Sequence, residues 1–223
     1  MKTTYKSLYQ LAAKNRGGIE HLEASLPRPK SPAQLVAQGD DRYLSMMTRC
    51  VFRAGFVWRV IDNKWPGFEE AFSKFNPLAI AHYSDEKLEE LGKDTRIVRN
   101  FTKIVSVRHN AMYVLDKQHS HGSFGKFIAD WPEHDIVGLW LELKKNGSRL
   151  GGNSGPGMLR SMGKDTFLLT KDVSDALVNQ GLMKKFSPTA QRDLRLVEQV
   201  FADLREQSGR SLCELSRILA FTV

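Results

Sequence analysis

Four glycines lie within one short stretch of the chain, at Gly151, Gly152, Gly155 and Gly157. A glycine-rich turn between two helices exposes backbone N–H groups to a ligand without obstruction by a Cβ atom. A second helix that begins near Pro156 would add the positive end of its dipole. The pattern is typical of an anion site that fits a DNA phosphate, with the backbone of Gly152, Asn153, Ser154, Gly155 and Gly157 as the contact. A flexible loop between two helices would account for the same glycines.

A carboxylate follows this stretch after a short apolar segment, residues 165–169. Thr170 has the residue type of a helix N-cap, which would place Asp172 in the first turn of the next helix. An ionised carboxylate in a pocket can stabilise an oxocarbenium-like sugar and orient a water molecule. Aspartate is also common in first helical turns without any such role. Asp165 lies seven positions earlier and is the alternative carboxylate.

Aromatic and basic side chains are close together between Cys50 and Trp58. Phe56 and Trp58 beside Arg53 suit stacking and cation–π contact with a nucleic-acid base. Aromatic residues at helical spacing are also typical of a core helix, and the pattern alone leaves both interpretations open.

The segments that must position these residues all have sequence patterns typical of helices. Asp40 and Asp41 have the pattern of an N-cap for a long helix that ends near Ile61, and residues 119–123 have the composition of a polar loop. Residues 190–206 predict a strongly charged helix, and Ser211 predicts the cap of a last one. Because no segment alternates with period two, we expect an all-α fold, a two-lobed helical bundle.

Composition limits the classes of function. The 223 residues carry a formal net charge of +8, with a pI of about 9.5, which favours a polyanionic partner such as nucleic acid. The chain has two cysteines, Cys50 and Cys213. They are too few for an all-cysteine zinc site or iron–sulfur cluster within the chain, and they do not predict a disulfide framework. No apolar run is long enough to span a membrane. We expect a cytoplasmic protein that is associated with the nucleoid when bound to DNA and that has no metal or cofactor.

The order of helix, Leu150-x-Gly152-x-Ser154-Gly155 hairpin, helix, apolar link and Asp172 resembles the helix-hairpin-helix DNA glycosylase superfamily. The resemblance implies that the hairpin grips the DNA backbone and that Asp172 supports cleavage of the N-glycosidic bond. Bifunctional members carry a nucleophilic lysine just after the hairpin glycines, where this chain has Pro156. The resemblance therefore implies a monofunctional enzyme that uses water and has no lyase activity.

The front half resembles the DNA-3-methyladenine glycosylase I family more narrowly. The matching stretches are Arg53-Ala54-Gly55-Phe56-Val57-Trp58, Phe75-Asn76-Pro77 and the run from Arg96 to Ala111. The resemblance implies a base pocket with Trp58 against the base and Phe56, Arg53 and Cys50 nearby. Cys50 stands where the family has its recognition glutamate, and the family's zinc-binding cysteines and histidines are lacking, so no metal is implied.

Together these patterns predict one glycosylase-like domain over residues 1–223, with the helix-hairpin-helix at about 136–163 and terminal helices 1–30 and 190–223 packed on it. We expect a monomer that flips a damaged base out of double-stranded DNA into a pocket between two lobes, in base excision repair. The base expected is an alkylated purine such as 3-methyladenine. The alternative is a non-catalytic DNA-binding protein that has lost excision. Candidate phosphate contacts are Arg96, Arg99, Lys103 and Arg160.

Overall fold

A computed structural model describes residues 3–223, and every regular element in that range is helical, which confirms the all-α prediction. The helices are α1 (Tyr5–Asn15), α2 (Ile19–Ala24), α3 (Pro32–Val36), α4 (Asp40–Arg53), α5 (Trp58–Asn63), α6 (Trp65–Ala71), α7 (Pro77–Ala81), α8 (Asp85–Lys93), α9 (Phe101–His121), α10 (Phe124–Asp130), α11 (Ile136–Asn146), α12 (Ser154–Met162), α13 (Lys171–Asn179), α14 (Gln191–Ser208) and α15 (Leu212–Ala220). A single 3-10 turn, Ser73–Phe75, lies between α6 and α7.

These helices form two compact units. The first unit comprises the chain up to residue 30 together with residues 132–138 and 163–223, and the second unit comprises residues 31–131 and 139–162. Both ends of the described range, residues 3–223, therefore belong to the same unit. The organisation of residues 1–223 as one domain stays a prediction.

The second unit is built around α9, which packs against α4, α7, α8 and α10, while α12 packs against α4. Apolar side chains at helical spacing on α9, such as Ile104, Val107 and Val114, are almost completely buried. A periodic apolar face of this kind is what drives a helix into a core. The unit thus offers a rigid frame of long helices for the loops between them.

Two boundaries differ from the sequence-based prediction. The helix that begins at Asp40 ends at Arg53 instead of continuing to Ile61, because Gly55 adopts a positive φ of 74° and the chain turns there. At the second boundary, α9 continues to His121, into the expected polar loop 119–123. It ends there because Gly122 adopts a positive φ of 89°. Asp40 is also not an N-cap: Gly39 occupies that position, and the Asp40 carboxylate accepts the backbone N–H of Phe124.

In the first unit, an extended segment, residues 164–169, is fastened to α15. The Asp165 carboxylate accepts the N–H groups of Leu212 at 3.0 Å and Cys213 at 2.8 Å, at the N-terminus of that helix. The Phe167 ring stacks on Phe201 with centroids 4.3 Å apart, and Leu168 donates its N–H to the Ser216 hydroxyl. The segment therefore reaches the start of α13 in a defined position.

We expect Asp165→Ala to lower the free energy of unfolding by about 1–3 kcal/mol, because it removes two charge-assisted hydrogen bonds from a helix terminus. Urea denaturation followed by circular dichroism measures the change. The control is Asp116→Ala on exposed α9 surface, for which we expect a change within about 0.5 kcal/mol. Equal effects of the two substitutions would contradict the capping role of Asp165.

Candidate functional site

The glycine-rich stretch forms a tight hairpin between α11 and α12, as the sequence predicts. The Leu150 side chain is fully buried beneath the turn, and its carbonyl accepts the Gly155 N–H at 3.1 Å. A Cβ atom on Gly155 would lie 2.5 Å from the same carbonyl oxygen, so only glycine allows this approach. Gly152 is exposed at the tip with a φ of 58°. α12 begins at Ser154, two residues before the predicted start near Pro156.

The hairpin is anchored to α9 by one buried amide. Asn110 is 1% exposed, and its Oδ1 accepts the Ser148 N–H at 2.7 Å while its Nδ2 donates to the Ser148 carbonyl at 3.1 Å. Both polar atoms of the Asn110 side chain thus bind Ser148, the residue at the start of the turn. Sequence reasoning missed Asn110, because its partner lies 38 positions away along the chain.

The donors that the hairpin can offer to an anion are fewer than the sequence suggests. The N–H groups of Ser154, Gly155 and Gly157 already donate to carbonyls within the hairpin. Those of Gly151 and Gly152 donate to no other group in the described part of the chain. The turn itself, rather than the first turn of α12, therefore carries the available backbone donors.

Basic side chains surround these donors. Lys144 and Lys145 in the last turn of α11 are exposed, and so is Arg149 in the turn. Positive charge beside free backbone N–H groups suits a nucleic-acid phosphate. These three residues were not among the predicted phosphate contacts, although their position around the glycines was a usable signal.

The aromatic residues of the front half lie on an exposed segment, loop 54–58, that follows α4 and ends at Trp58, the first residue of α5. Phe56 is 40% exposed and Trp58 is 63% exposed, whereas Phe52 one turn earlier is completely buried. The core-helix interpretation is therefore right for Phe52 and wrong for Phe56 and Trp58. Val57 between them is 68% exposed, so the loop presents a continuous apolar surface. Such a surface can stack on a base.

Lys103 supports this loop from below. Its side chain is buried, and Nζ donates to the carbonyl oxygens of Ala54 at 2.6 Å and Phe52 at 3.2 Å. Nζ also lies 4.5 Å from the centroid of the Phe56 ring. The prediction that Lys103 contacts a phosphate is wrong, because the ammonium group faces the end of α4 and not the solvent.

Arg53 is held by an ion pair. Its Nη2 lies 2.6 Å from Oδ1 and 2.7 Å from Oδ2 of Asp62, and Arg49 binds the same carboxylate. Burial acts to raise the pKa of Asp62, but the hydrogen bonds from the two guanidinium groups prevail and hold that pKa below its usual value. The Arg53 guanidinium also lies 4.9 Å from the centroid of the Trp58 ring. Arg53 thus orients Trp58 from one side.

Cys50 is half-buried near the end of α4. Burial raises the pKa of its thiol to about 11, with Arg53 and Arg49 acting in the opposite direction. The group is therefore a neutral thiol at physiological pH. It offers no negative charge to a cationic base.

The first unit contains both candidate carboxylates, Asp172 and Asp165, and the two have different hydrogen-bond partners. Thr170 caps α13 by accepting the Val173 N–H, as predicted, and Asp172 lies exposed in the first turn. The Asp172 carboxylate has no hydrogen bond or ion pair with any residue in the range 3–223, whereas Asp165 is occupied by the N-terminus of α15. Of the two, only Asp172 is available to a ligand.

The other predicted phosphate contacts have different surroundings. Arg96 is exposed but forms ion pairs with Asp94 and Glu70. Arg99 is exposed, and Arg160 is half-buried. Over residues 3–223 we find no group of three metal-binding side chains, and no helix in that range is long and apolar enough to cross a membrane.

Solved structures of two helical DNA glycosylases have a similar architecture. The chain superimposes on the Methanocaldococcus jannaschii 8-oxoguanine glycosylase/lyase bound to DNA with a TM-score of 0.55 and 14% identity, over 96% of each chain. It superimposes on the Staphylococcus aureus 3-methyladenine DNA glycosylase I with a TM-score of 0.51 and 22% identity, over 56% of this chain and 77% of the other. These similarities show the fold.

The family follows from sequence comparison. The methyladenine glycosylase family model matches residues 35–146, half of the chain, and the chain belongs to that family. DNA-3-methyladenine glycosylase 1 of Escherichia coli (strain K12) is 27% identical over 82 residues, which cover 37% of this chain and 44% of the relative. The match thus spans less than half of that relative. The glycine hairpin and Asp172 lie outside the matched residues.

We expect Gly155→Ala to lower the free energy of unfolding by about 1–3 kcal/mol, because the new methyl group overlaps the Leu150 carbonyl. Gly157→Ala is the matched control in the same helix: a Cβ there meets nothing within 4 Å. We expect it to leave stability unchanged or raise it by up to about 1 kcal/mol. Urea denaturation measures both variants, and a stable Gly155→Ala protein would disprove the close approach.

Proposed function

We propose that this protein is a monofunctional DNA glycosylase that hydrolyses the N-glycosidic bond of a flipped, damaged base in base excision repair. The observation that carries the proposal is the exposed Asp172 carboxylate at the start of a helix, in a chain of the methyladenine glycosylase family. The base we propose is an alkylated purine such as 3-methyladenine. Double-stranded DNA is the proposed partner.

The second unit supplies the groups for binding. The hairpin, through the N–H groups of Gly151 and Gly152 and its three basic neighbours, would hold the phosphate backbone without reading the sequence. Trp58 and Phe56 on loop 54–58 would stack on the extruded base, with Arg53 and Cys50 beside them. Extrusion is needed because the glycosidic bond of a stacked base is inaccessible to a catalytic group.

The first unit supplies the carboxylate. As the bond from C1′ to the base nitrogen breaks, its electron pair leaves with the base and positive charge develops on the sugar. The ionised Asp172 would stabilise that charge and accept a proton from the water that attacks C1′. An alkylated purine that is cationic in DNA leaves as a neutral base, so little acid catalysis at the base is needed.

Lyase chemistry is not proposed. A bifunctional glycosylase needs an amine that attacks C1′ and forms a Schiff base. Pro156, at the position of that lysine in the resemblance, has no amine, and Pro156 is buried in α12. The product we propose is therefore an intact strand with an abasic site.

A non-catalytic DNA-binding protein is the second candidate. Cys50 favours it, because a neutral thiol replaces the carboxylate that the family resemblance associates with base recognition. The exposed Asp172 carboxylate argues against a non-catalytic protein, because it is available for catalysis. Both candidates predict salt-dependent binding to duplex DNA, so excision must be measured directly.

We expect Asp172→Asn to reduce the rate of base release from methylated duplex DNA by about 100-fold or more, because the amide does not offset positive charge on the sugar. Asp175→Asn, one turn further along α13 in an exposed ion pair with Lys171, is the control and should release base at the wild-type rate. Release measured by mass spectrometry tests both. Unchanged release by Asp172→Asn would remove its catalytic assignment and retain the activity.

We expect Cys50→Glu to raise the release of 3-methyladenine relative to wild type by about tenfold, since a carboxylate beside a cationic base contributes a charge-assisted hydrogen bond. Cys50→Gln has the same shape without the charge and is the control. Single-turnover release from methylated DNA measures the ratio. Equal rates for the two variants would contradict the assignment of Cys50 to the base pocket.

A further inference from the structure

Two buried polar side chains share one face of α9. Lys103 is 6% exposed and Asn110 is 1% exposed, although lysine and asparagine are seldom buried. They lie seven residues apart, which corresponds to about two helical turns, or about 10 Å along the axis. A buried polar side chain is retained only if its partners repay its desolvation. What each one binds is therefore informative.

Lys103 binds the end of α4. The last carbonyl groups of a helix have no partner within the helix and carry partial negative charge. The ammonium group donates to two of them, at Phe52 and Ala54, where α4 gives way to loop 54–58. The same group lies under the Phe56 ring at 4.5 Å. Its contacts thus define where the helix stops and where the exposed loop starts.

Asn110 binds the start of the hairpin. Its amide pairs with both backbone groups of Ser148, immediately before Arg149, which adopts a positive φ of 62°. A backbone pairing of this kind fixes the orientation of the peptide as well as its position. The turn that carries Gly151 and Gly152 follows within three residues.

Lys103 and Arg149 of the hairpin also interact through their charges. Burial lowers the pKa of Lys103, and the positive charge of Arg149 in the hairpin lowers it further. Lys103, which binds the loop, and Arg149, which lies in the hairpin, are therefore near enough to interact electrostatically.

We propose that Lys103 and Asn110 are positioning residues that hold loop 54–58 and the hairpin in a fixed register on α9. The inference rests on the proposed function, in which these two segments contact the base and the phosphate backbone. One rigid helix then sets the spacing between the phosphate grip and the stacking surface. Neither side chain touches the DNA.

The test compares Lys103→Met with Asn110→Ala in two measurements. For Asn110→Ala we expect affinity for undamaged duplex to fall about tenfold, with the larger effect on binding than on the single-turnover rate. For Lys103→Met we expect the single-turnover release rate to fall about tenfold, with duplex affinity within about twofold of wild type. Lys103→Arg, which retains the charge and the donors, should recover most of the rate.

Amide hydrogen exchange on the free protein adds a measurement that needs no catalysis. Lys103→Met should speed exchange in residues 54–58, and Asn110→Ala should speed exchange in residues 147–153. Lys87→Met on α8 and Gln118→Ala on α9, both exposed, are the controls and should change neither segment. If Asn110→Ala fails to fold, Asn110→Asp, which retains an acceptor for the Ser148 N–H, replaces it.

Equal losses of affinity and rate in both variants, in proportion to their loss of melting temperature, would overturn the proposal, because a general loss of stability predicts that result. Unchanged exchange in both segments would also overturn it. If the wild type releases no base from any lesion while exchange and duplex affinity separate as described, the positioning roles stand and the proposed function fails.

Discussion

The placement of one buried positive charge determines much of the second unit. The Lys103 ammonium binds the terminal carbonyls of α4, and the chain leaves the helix there instead of continuing along its apolar pattern. Because α4 ends at Arg53, Phe56 and Trp58 lie at the surface and not in the core. The hairpin depends on the same helix α9 through the Asn110 amide. Both proposed DNA contacts therefore derive from one rigid element.

The first unit illustrates how two carboxylates of the same type acquire different roles. Asp165 satisfies the N-terminus of α15 and fastens the extended segment before α13. This leaves Asp172 exposed at the start of α13, where its carboxylate forms no hydrogen bond or ion pair with another residue of the described range. A structural carboxylate thus positions a free one. In the proposed reaction the free carboxylate meets the charge that develops on the sugar.

Local patterns predicted what local interactions decide. The all-α fold, the glycine hairpin and the Thr170 cap follow from residues close in sequence, and all three are present. The end of α4 was not predictable from the apolar pattern, because apolar residues continue at helical spacing after Arg53. The turn at Gly55 ends the helix, and the Lys103 ammonium that binds its terminal carbonyls comes from about fifty positions away. The role of Asn110 was not predicted for the same reason, because its partner Ser148 is distant in the sequence. Residues whose roles depend on distant partners need the tertiary structure.

In the reaction that we propose, this chain cleaves the bond between a damaged base and its sugar and leaves the strand intact. The direct measurement is wild-type protein with methylated duplex DNA in the presence of borohydride, with analysis of free bases, strand length and covalent protein–DNA adducts. The proposed reaction yields free alkylated purine, an intact strand with abasic sites, and no trapped adduct. A trapped adduct, or no free base from alkylated, deaminated or oxidised DNA while duplex binding persists, would contradict it.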